Sequence, residues 1–211
     1  AATILNTYDP GSRIASALRS TSELAALFFI VNLRGLISFA PLNPELGDDE
    51  AAFELSDLPA AALILPANRE SAAARAAIAL GMPLMGLRPD PFTCGLFELG
   101  RISSDHPELA PLRSASPEEV GSDTAQGNRE SIALVMHTSG TTRRPKLVPL
   151  MHGHLGCGSL CVVSTLQLEP SSVSINVMPL FHLHGLMINI LVSAVAGAGV
   201  LCAPRFDAPL F

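Results

Sequence analysis

Apolar and polar positions alternate along this chain in blocks that predict strands and helices in turn. Short apolar runs in the first hundred residues predict strands over 13–18, 36–40, 61–65 and 83–87. Longer amphipathic runs between them predict helices over 24–32, 48–58 and 71–80. Hydroxyl residues at 20–22 favour a helix start, and Gly81 favours a helix stop. This repetition is typical of an α/β fold with doubly wound, mostly parallel sheets and helices on both faces.

The pattern is interrupted once and then resumes. Residues 103–130 are rich in Pro, Ser, Gly and acidic residues, which favours a connector. The sequence therefore predicts a first αβ layer over 1–102, a connector over 103–130, and an incomplete second αβ segment over 131–211. In that second segment the pattern predicts strands over 132–136, 148–151, 173–177 and 199–203 and helices over 152–166 and 185–196.

Composition excludes some classes of partner. The chain has 211 residues, a net charge of −6 and only 13 basic residues, which are scattered except at 143–146, so nucleic-acid binding is not expected. The chain has 48% hydrophobic residues and a mean hydropathy of +0.39. We therefore expect exposed apolar surface that a partner would cover. That partner would be the remainder of a longer enzyme or a second copy of the chain.

The candidate chemistry lies in 131–150, SIALVMHTSGTTRRPKLVPL, where a small hydroxyl-rich loop separates two apolar runs. The residues offered for phosphate binding are Thr138, Ser139, Gly140, Thr141 and Thr142. Hydroxyls and unhindered backbone N–H groups can surround phosphate oxygens, and Lys146 adds a mobile positive charge. The spacing differs from GxxxxGK[ST], because the second glycine and the final hydroxyl are absent. An ordinary turn, which also favours Ser, Gly and Thr, is the structural alternative.

Three ordered motifs carry a family resemblance. The segment 138–146, TSGTTRRPK, is similar to the signature TSGTTGxPKG, and 178–185, MPLFHLHG, is similar to PLFHxxG. Parts of 23–65 are similar to the opening of the same enzymes. On these residues the chain resembles the adenylate-forming (AMP-binding) superfamily of acyl-CoA synthetase type. Within that superfamily, the sequence of these motifs most resembles the oxalyl-CoA synthetase-like branch. The resemblance covers an N-terminal portion only.

The resemblance implies a partial N-terminal domain of the adenylate-forming fold and an ATP-dependent carboxylate–CoA ligase. In that family a carboxylate attacks the α-phosphate of ATP to give acyl-AMP, and the acyl group then passes to CoA. Lys146 and His182 become the candidate catalytic residues, with His182 beside the acyl pocket. The nucleotide would be bound by Thr138, Ser139, Gly140, Thr141, Thr142 and Lys146. ATP, Mg²⁺ and CoA are implied, with the Mg²⁺ ligand expected outside this chain.

Departures from the family pattern leave a second function open. Arg143 and Leu147 stand where the family usually has small residues, so we expect strain or a reshaped loop there. The YGxTE and TGD segments and the C-terminal lysine domain are not in the 211 residues, so full catalysis by this chain alone is not expected. The alternative is a non-catalytic truncated homologue that acts as a binding or interaction module.

The cysteines, the longest uncharged run and the remaining polar residues bear on cellular environment and on other candidate sites. Four cysteines without zinc-ribbon spacing indicate reduced thiols in an intracellular protein. With the family resemblance, the expected location is cytoplasmic or peroxisomal. The uncharged run 183–204 is long enough to span a bilayer, but its polar residues and glycines favour a buried helix and a strand. Two HxH pairs, at 152–154 and 182–184, together with Cys157 and Cys161, contain possible zinc ligands, but no metal site is predicted. Glu23 and Asp57 are interpreted as caps or surface charges.

Overall fold

Helices and strands alternate along the residues that the computed structural model describes, which are 5, 7–33, 35–67, 70–102, 128–138 and 145–203. The strands are β1 (Arg13–Ser16), β2 (Ser38–Pro41), β3 (Ala62–Pro66), β4 (Leu84–Pro89), β5 (Phe97–Ile102), β6 (Ile132–Thr138), β7 (Lys146–Met151), β8 (Val173–Asn176) and β9 (Gly199–Cys202). The helices are α1 (Ser22–Asn32), α2 (Asp48–Asp57), α3 (Ala72–Ala79), α4 (His152–Leu166) and α5, which is π-helical over His184–Leu191 and α-helical over Val192–Ala196.

The larger sheet is mixed but mostly parallel. Within the described ranges its seven strands lie in the order β5-β4-β3-β1-β2-β6-β7, and only β5 and β7 at the edges pair antiparallel with their neighbours. Strands β8 and β9 pair parallel in a separate sheet. The predicted fold class is therefore confirmed. Strand β6, which follows the predicted connector 103–130, pairs with β2 in the same sheet. Residues 103–127 lie outside the described residues, so the division into two segments stays a prediction.

Each face of the large sheet has its own core. Ile14, Phe39 and Leu134 pack on one face with apolar residues of α1 and α4. Their neighbours in sequence, such as Ala15 and Ala40, pack on the other face with α2 and α3. Successive strand residues point to opposite faces, so strands buried on both sides appear as continuous apolar runs. Helices on both faces make the domain doubly wound, as the sequence predicted.

Helix boundaries follow local chemistry at α3 more closely than at α1. The hydroxyl of Ser71 accepts a hydrogen bond from the N–H of Ala74 at 3.2 Å, and Gly81 takes a left-handed φ of +67° just past the helix end. At α1, the residue in the N-cap position is Thr21, and its side chain makes no capping hydrogen bond. Glu23 is buried, and its carboxylate accepts hydrogen bonds from the Ser22 hydroxyl and the Gly95 N–H. The interpretation of Glu23 as a surface charge is wrong.

Strand β5 was not predicted. Phe97 and Leu99 are buried while Glu98 between them is exposed, which is the alternation of a strand with one covered face. Gly100 interrupts the apolar pattern after Leu99. Its pairing with β4 runs from Leu84↔Ile102 to Pro89↔Phe97 and closes one edge of the sheet.

The small parallel sheet leaves apolar surface uncovered. Val173, Ile175 and Leu201 are exposed, while Ser174 and Asn176 face helix α5 through hydrogen bonds to Ser193 and Asn189. Parallel strands normally have both faces covered, so this face has the character of an interface. Among the helices of the described segments, none combines the length and apolar content that crossing a bilayer requires.

Candidate functional site

The hairpin β6–β7 brings both ends of the candidate phosphate loop to one place. Thr138, the last residue of β6, pairs with Lys146, the first residue of β7, and its hydroxyl donates to the Lys146 carbonyl oxygen at 3.3 Å. Both side chains are exposed. The remaining predicted phosphate contacts, Ser139, Gly140, Thr141 and Thr142, lie outside the described residues, so their role stays a prediction.

A groove of about 430 Å³ opens beside this hairpin at the carboxyl end of the parallel strands. Its lining combines polar groups with apolar walls: Pro41, Leu42, Asn43, Leu46, Glu54, Met136, His137, Thr138, Pro145, Val148, Leu150, Phe181, His182 and Leu183. Two residues predicted from separate motifs, Thr138 and His182, therefore lie in one groove. The volume lies in the range of pockets that bind small ligands.

Chain topology explains why the groove forms between β2 and β6. After β2 the chain turns to α2 on one face of the sheet, and after β7 it turns to α4 on the opposite face. Neighbouring strands whose connections leave in opposite directions open a crevice at their carboxyl ends, which is where doubly wound sheets bind ligands. The groove occupies that crevice.

The segment that carries His182 is held by hydrogen bonds from distant parts of the chain. The Leu180 N–H donates to the Ser20 hydroxyl at 2.8 Å, and Leu180 itself is fully buried. The side chain of His182 is exposed, and its ring centroid lies 4.8 Å from that of Phe181. The sequence allowed a half-buried histidine satisfied by a backbone carbonyl. The structure shows instead an exposed ring at the rim of the groove.

Gly185 allows the same segment to pack tightly. A Cβ atom built on Gly185 would lie 2.5 Å from the Pro179 carbonyl oxygen and 2.9 Å from that of Met178. The side-chain oxygen of Asn176 accepts hydrogen bonds from the Met178 N–H at 3.1 Å and from the Asn189 amide at 2.7 Å. Glycine is therefore required where helix α5 begins against the turn that presents His182.

Leu147 belongs to strand β7 and has no positive φ. It lies in β7 as the cross-strand partner of His137, and its side chain packs against the core formed with α2 and α3. Among the described residues, Gln167 is the one non-glycine position with a positive φ. The expectation of strain at Leu147 is thus wrong, because β7 begins at Lys146, two residues before the start that the sequence pattern predicted. Arg143, the other departure, lies outside the described residues.

Sequence analysis missed the pair His137 and Glu54 in the floor of the groove. The His137 ring lies between two carboxylates of α2, with Nδ1 3.6 Å from Glu54 Oε2 and Nε2 3.7 Å from Asp57 Oδ2. Burial lowers the pKa of His137, an effect that the Asp57 carboxylate opposes. Burial also raises the pKa of Glu54, and the nearby Glu50 adds to that rise. No sequence motif indicates this cluster.

The histidine and cysteine pairs do not form a metal cluster in the part of the chain that the structure describes, where no three His, Cys, Asp or Glu side chains are placed to hold an ion. The ring of His154 accepts a hydrogen bond from the Met151 N–H through Nδ1. Cys157 and Cys161 are exposed free thiols.

The fold and the groove together define a doubly wound α/β domain with a ligand crevice at the carboxyl ends of β2 and β6. The chain belongs to the AMP-binding enzyme family, whose model matches residues 1–211.

Curated relatives agree with this assignment, and a solved structure has a similar fold. The chain is 33% identical to an oxalate–CoA ligase of Arabidopsis thaliana over 96% of its own length and 37% of the relative's. It is 28% identical to an oxalate–CoA ligase of Saccharomyces cerevisiae, over 90% of this chain and 36% of that protein. The fold is similar to that of apo MatB from Rhodopseudomonas palustris, with a TM-score of 0.73, 22% identity, and coverage of 98% of this chain and 38% of that one. The chain therefore spans about 37% of the length of the first of these relatives.

Proposed function

We propose that this chain is the N-terminal, phosphate-binding part of an ATP-dependent carboxylate–CoA ligase. The observation that supports it most directly is the convergence of Thr138, Pro145 and His182 on one groove at the carboxyl ends of the strands. Similar proteins are CoA ligases, including a feruloyl-CoA synthase of Amycolatopsis sp. that is 29% identical over 94% of this chain and 35% of that protein. Substrates would be ATP, a carboxylic acid and CoA.

In the proposed reaction, this chain would stabilise developing negative charge electrostatically. When a carboxylate attacks the α-phosphate, negative charge increases on the phosphorus centre and on the departing pyrophosphate. The Lys146 ammonium and the hydroxyls of Thr138 and the 139–142 segment would bind that charge, and His182 would border the acid. Mg²⁺ would share the neutralisation of the pyrophosphate, with its ligand expected outside this chain. Hydrogen-bond donors held in place by the folded chain stabilise this charge because they are already oriented before it develops.

Calorimetric titration of the 211-residue chain with Mg-ATP tests the phosphate site. Replacing Lys146 with alanine removes one charged hydrogen-bond donor, so we expect a loss of about 1.5–3 kcal/mol, or roughly tenfold to a hundredfold in Kd. Arg88→Ala is the matched control, because Arg88 is another exposed cation and lies in β4 near Glu98. An unchanged affinity in Lys146→Ala would remove Lys146 from the site.

Chemical modification offers a second test, since Lys146 is the only lysine in the sequence. An amine-reactive acylating reagent therefore labels one side chain apart from the chain terminus. Mg-ATP should slow labelling of Lys146 if the ammonium binds phosphate. A folded chain that neither binds ATP nor protects Lys146 would favour the alternative, a non-catalytic interaction module.

A further inference from the structure

Arg13, the first residue of β1, is a partly buried cation without an acidic partner in the described segments. One guanidinium nitrogen, Nη1, donates to the Pro59 carbonyl oxygen at a long 3.4 Å, and the buried Nε has no hydrogen-bond partner there. By contrast, Arg19, Arg75 and Arg88 each form an ion pair with a carboxylate. Burial lowers the pKa of Arg13, but an arginine stays protonated at neutral pH. The domain therefore contains a desolvated positive charge that no described side chain neutralises.

The Arg13 side chain lines a cavity of about 210 Å³ at the amino end of the large sheet. Ser38 of β2 is the cross-strand partner of Arg13, so the two side chains lie on the same face of the sheet. Ser131, which directly precedes β6, lines the cavity from the other side of β2. Of the described residues that line it, none is acidic. The cavity thus brings together a guanidinium and two hydroxyls from three parts of the chain.

Two glycines at the rim leave room for a ligand. Gly11 and Gly35 line the cavity and have positive φ values of +87° and +62°. A Cβ built on Gly11 would meet nothing within 4 Å, so the space beside it is open. Their N–H groups are already used, since that of Gly11 donates to the Leu36 carbonyl oxygen and that of Gly35 to the Asn32 carbonyl oxygen. The guanidinium is therefore the strongest donor in the cavity.

These groups suit an oxyanion. A guanidinium presents donors in a planar fork that matches the oxygens of a carboxylate or a phosphate, and a serine hydroxyl can donate to a further oxygen. The acids nearest in sequence, Asp9 and Glu130, are exposed and do not pair with Arg13. An oxyanion would supply both the counter-charge and the acceptor that Arg13 lacks. The small volume limits the ligand to a small anion or to one anionic group of a larger molecule.

We propose that the cavity around Arg13 is a second binding site, which takes a phosphate or carboxylate group through the Arg13 guanidinium and the hydroxyls of Ser38 and Ser131. The site is separate from the proposed nucleotide groove. Strand β6 runs from Ile132 at this cavity to Thr138 at the groove, a distance of about 20 Å. A bound anion would neutralise the guanidinium and stabilise the folded chain in proportion to its occupancy.

The test is an NMR titration that follows backbone amide signals of the 211-residue chain. Sodium phosphate and sodium acetate are added separately, each compared with sodium chloride at equal ionic strength. We expect saturable shifts of the Gly11, Gly35 and Ser131 signals with an oxyanion and no saturable shift with chloride. The oxyanion with the lower Kd identifies whether the site prefers a phosphate or a carboxylate. In Arg13→Gln, which removes the charge, the Kd should rise by roughly tenfold or more.

Arg88→Gln is the matched control, because Arg88 is an exposed arginine that already pairs with Glu98, and it should bind the anion like the wild type. Arg13→Lys keeps the charge but loses the planar fork, so its Kd should lie between those of the wild type and Arg13→Gln. No saturable shift at the cavity amides with either oxyanion, or a Kd that both Arg13 variants leave unchanged, would overturn the site. Phosphate shifts confined to Thr138 and Lys146 would also overturn it while supporting the nucleotide groove.

Discussion

The two ends of the large sheet each contain a cavity and a partly buried histidine, yet they differ in how their polar groups are arranged. At the carboxyl end, His137 faces Glu54 and Asp57, and Thr138 and His182 line the same groove. At the amino end, a cavity of about 330 Å³ is lined by Asn32, Leu33, Gly35, Asn128, Arg129, His152, Gly153, Gly156, Cys157 and Leu160.

At the amino end of the sheet, buried polar atoms are not paired with one another. His152 Nε2 and Asn32 Oδ1 both lack hydrogen-bond partners among the described residues, and burial alone lowers the pKa of His152. An unpaired buried polar atom costs stability and does no chemistry by itself. The comparison teaches that burial of a histidine is a weak sign of function, whereas groups from several elements that face one groove are a stronger one.

The largest expected effect concerns the scaffold of the carboxyl end. Gly185→Ala places a Cβ within 2.5 Å of the Pro179 carbonyl oxygen, so the turn that presents His182 must shift. We expect a loss of about 1–3 kcal/mol in the free energy of unfolding, measured by urea denaturation.

Gly156→Ala is the control at the amino end. A Cβ on Gly156 meets nothing within 4 Å, and alanine is favoured over glycine in a helix, so this variant should gain about 0.5–1 kcal/mol. Equal effects of the two substitutions would mean that the carboxyl-end turn is not tightly packed, and the contrast between the ends would weaken.

A smaller effect should distinguish the two histidines by the pH dependence of stability. Burial lowers the pKa of both His137 and His152 in the folded chain. In the unfolded chain a histidine has a pKa of about 6.5, so just below that pH the unfolded chain binds more protons than the folded one. The free energy of unfolding should therefore rise with pH through this window and be lost as the pH falls below it. Because Asp57 opposes the shift at His137, His152→Gln should flatten this dependence more than His137→Gln does.

Chemical denaturation at pH 5.5, 6.5 and 7.5 measures these slopes. His154→Gln is the control, since its ring is exposed and it lies two residues from His152 at the same end of α4. A slope that His152→Gln leaves unchanged would show that its ring is not desolvated in solution. A larger flattening in His137→Gln would reverse the order expected for the two ends.

Much of the fold could be predicted because it depends on local patterns. The apolar runs of the central strands are buried on both faces, and the boundaries of α3 follow from the Ser71 cap and the left-handed Gly81. Helix α4 begins and ends where the sequence pattern placed it, at His152 and Leu166. Strand β5 was missed because Gly100 breaks its apolar pattern, although the alternation of Phe97 and Leu99 with exposed residues was available as a signal.

The candidate site could be predicted only in part, since its geometry depends on contacts between distant segments. Motifs identified Thr138, Lys146 and His182, and the structure brings Thr138 and His182 to one groove. Nothing local to His137 indicates that two carboxylates of α2 flank its ring, because those residues precede it by three strands and a helix. Composition likewise does not reveal that α5 begins as a π-helix or that Gly185 packs closely against the Pro179 carbonyl there.

The smallest expected effect is that of Thr138→Val at the carboxyl end. This change removes the exposed hydrogen bond from the hydroxyl to the Lys146 carbonyl oxygen and leaves the shape nearly unchanged, so the free energy of unfolding should fall by less than about 1 kcal/mol. If the hydroxyl also contacts phosphate, Mg-ATP affinity should fall by more than stability does. Equal small losses in both measurements would assign Thr138 to closing the hairpin and leave phosphate binding to the loop and Lys146.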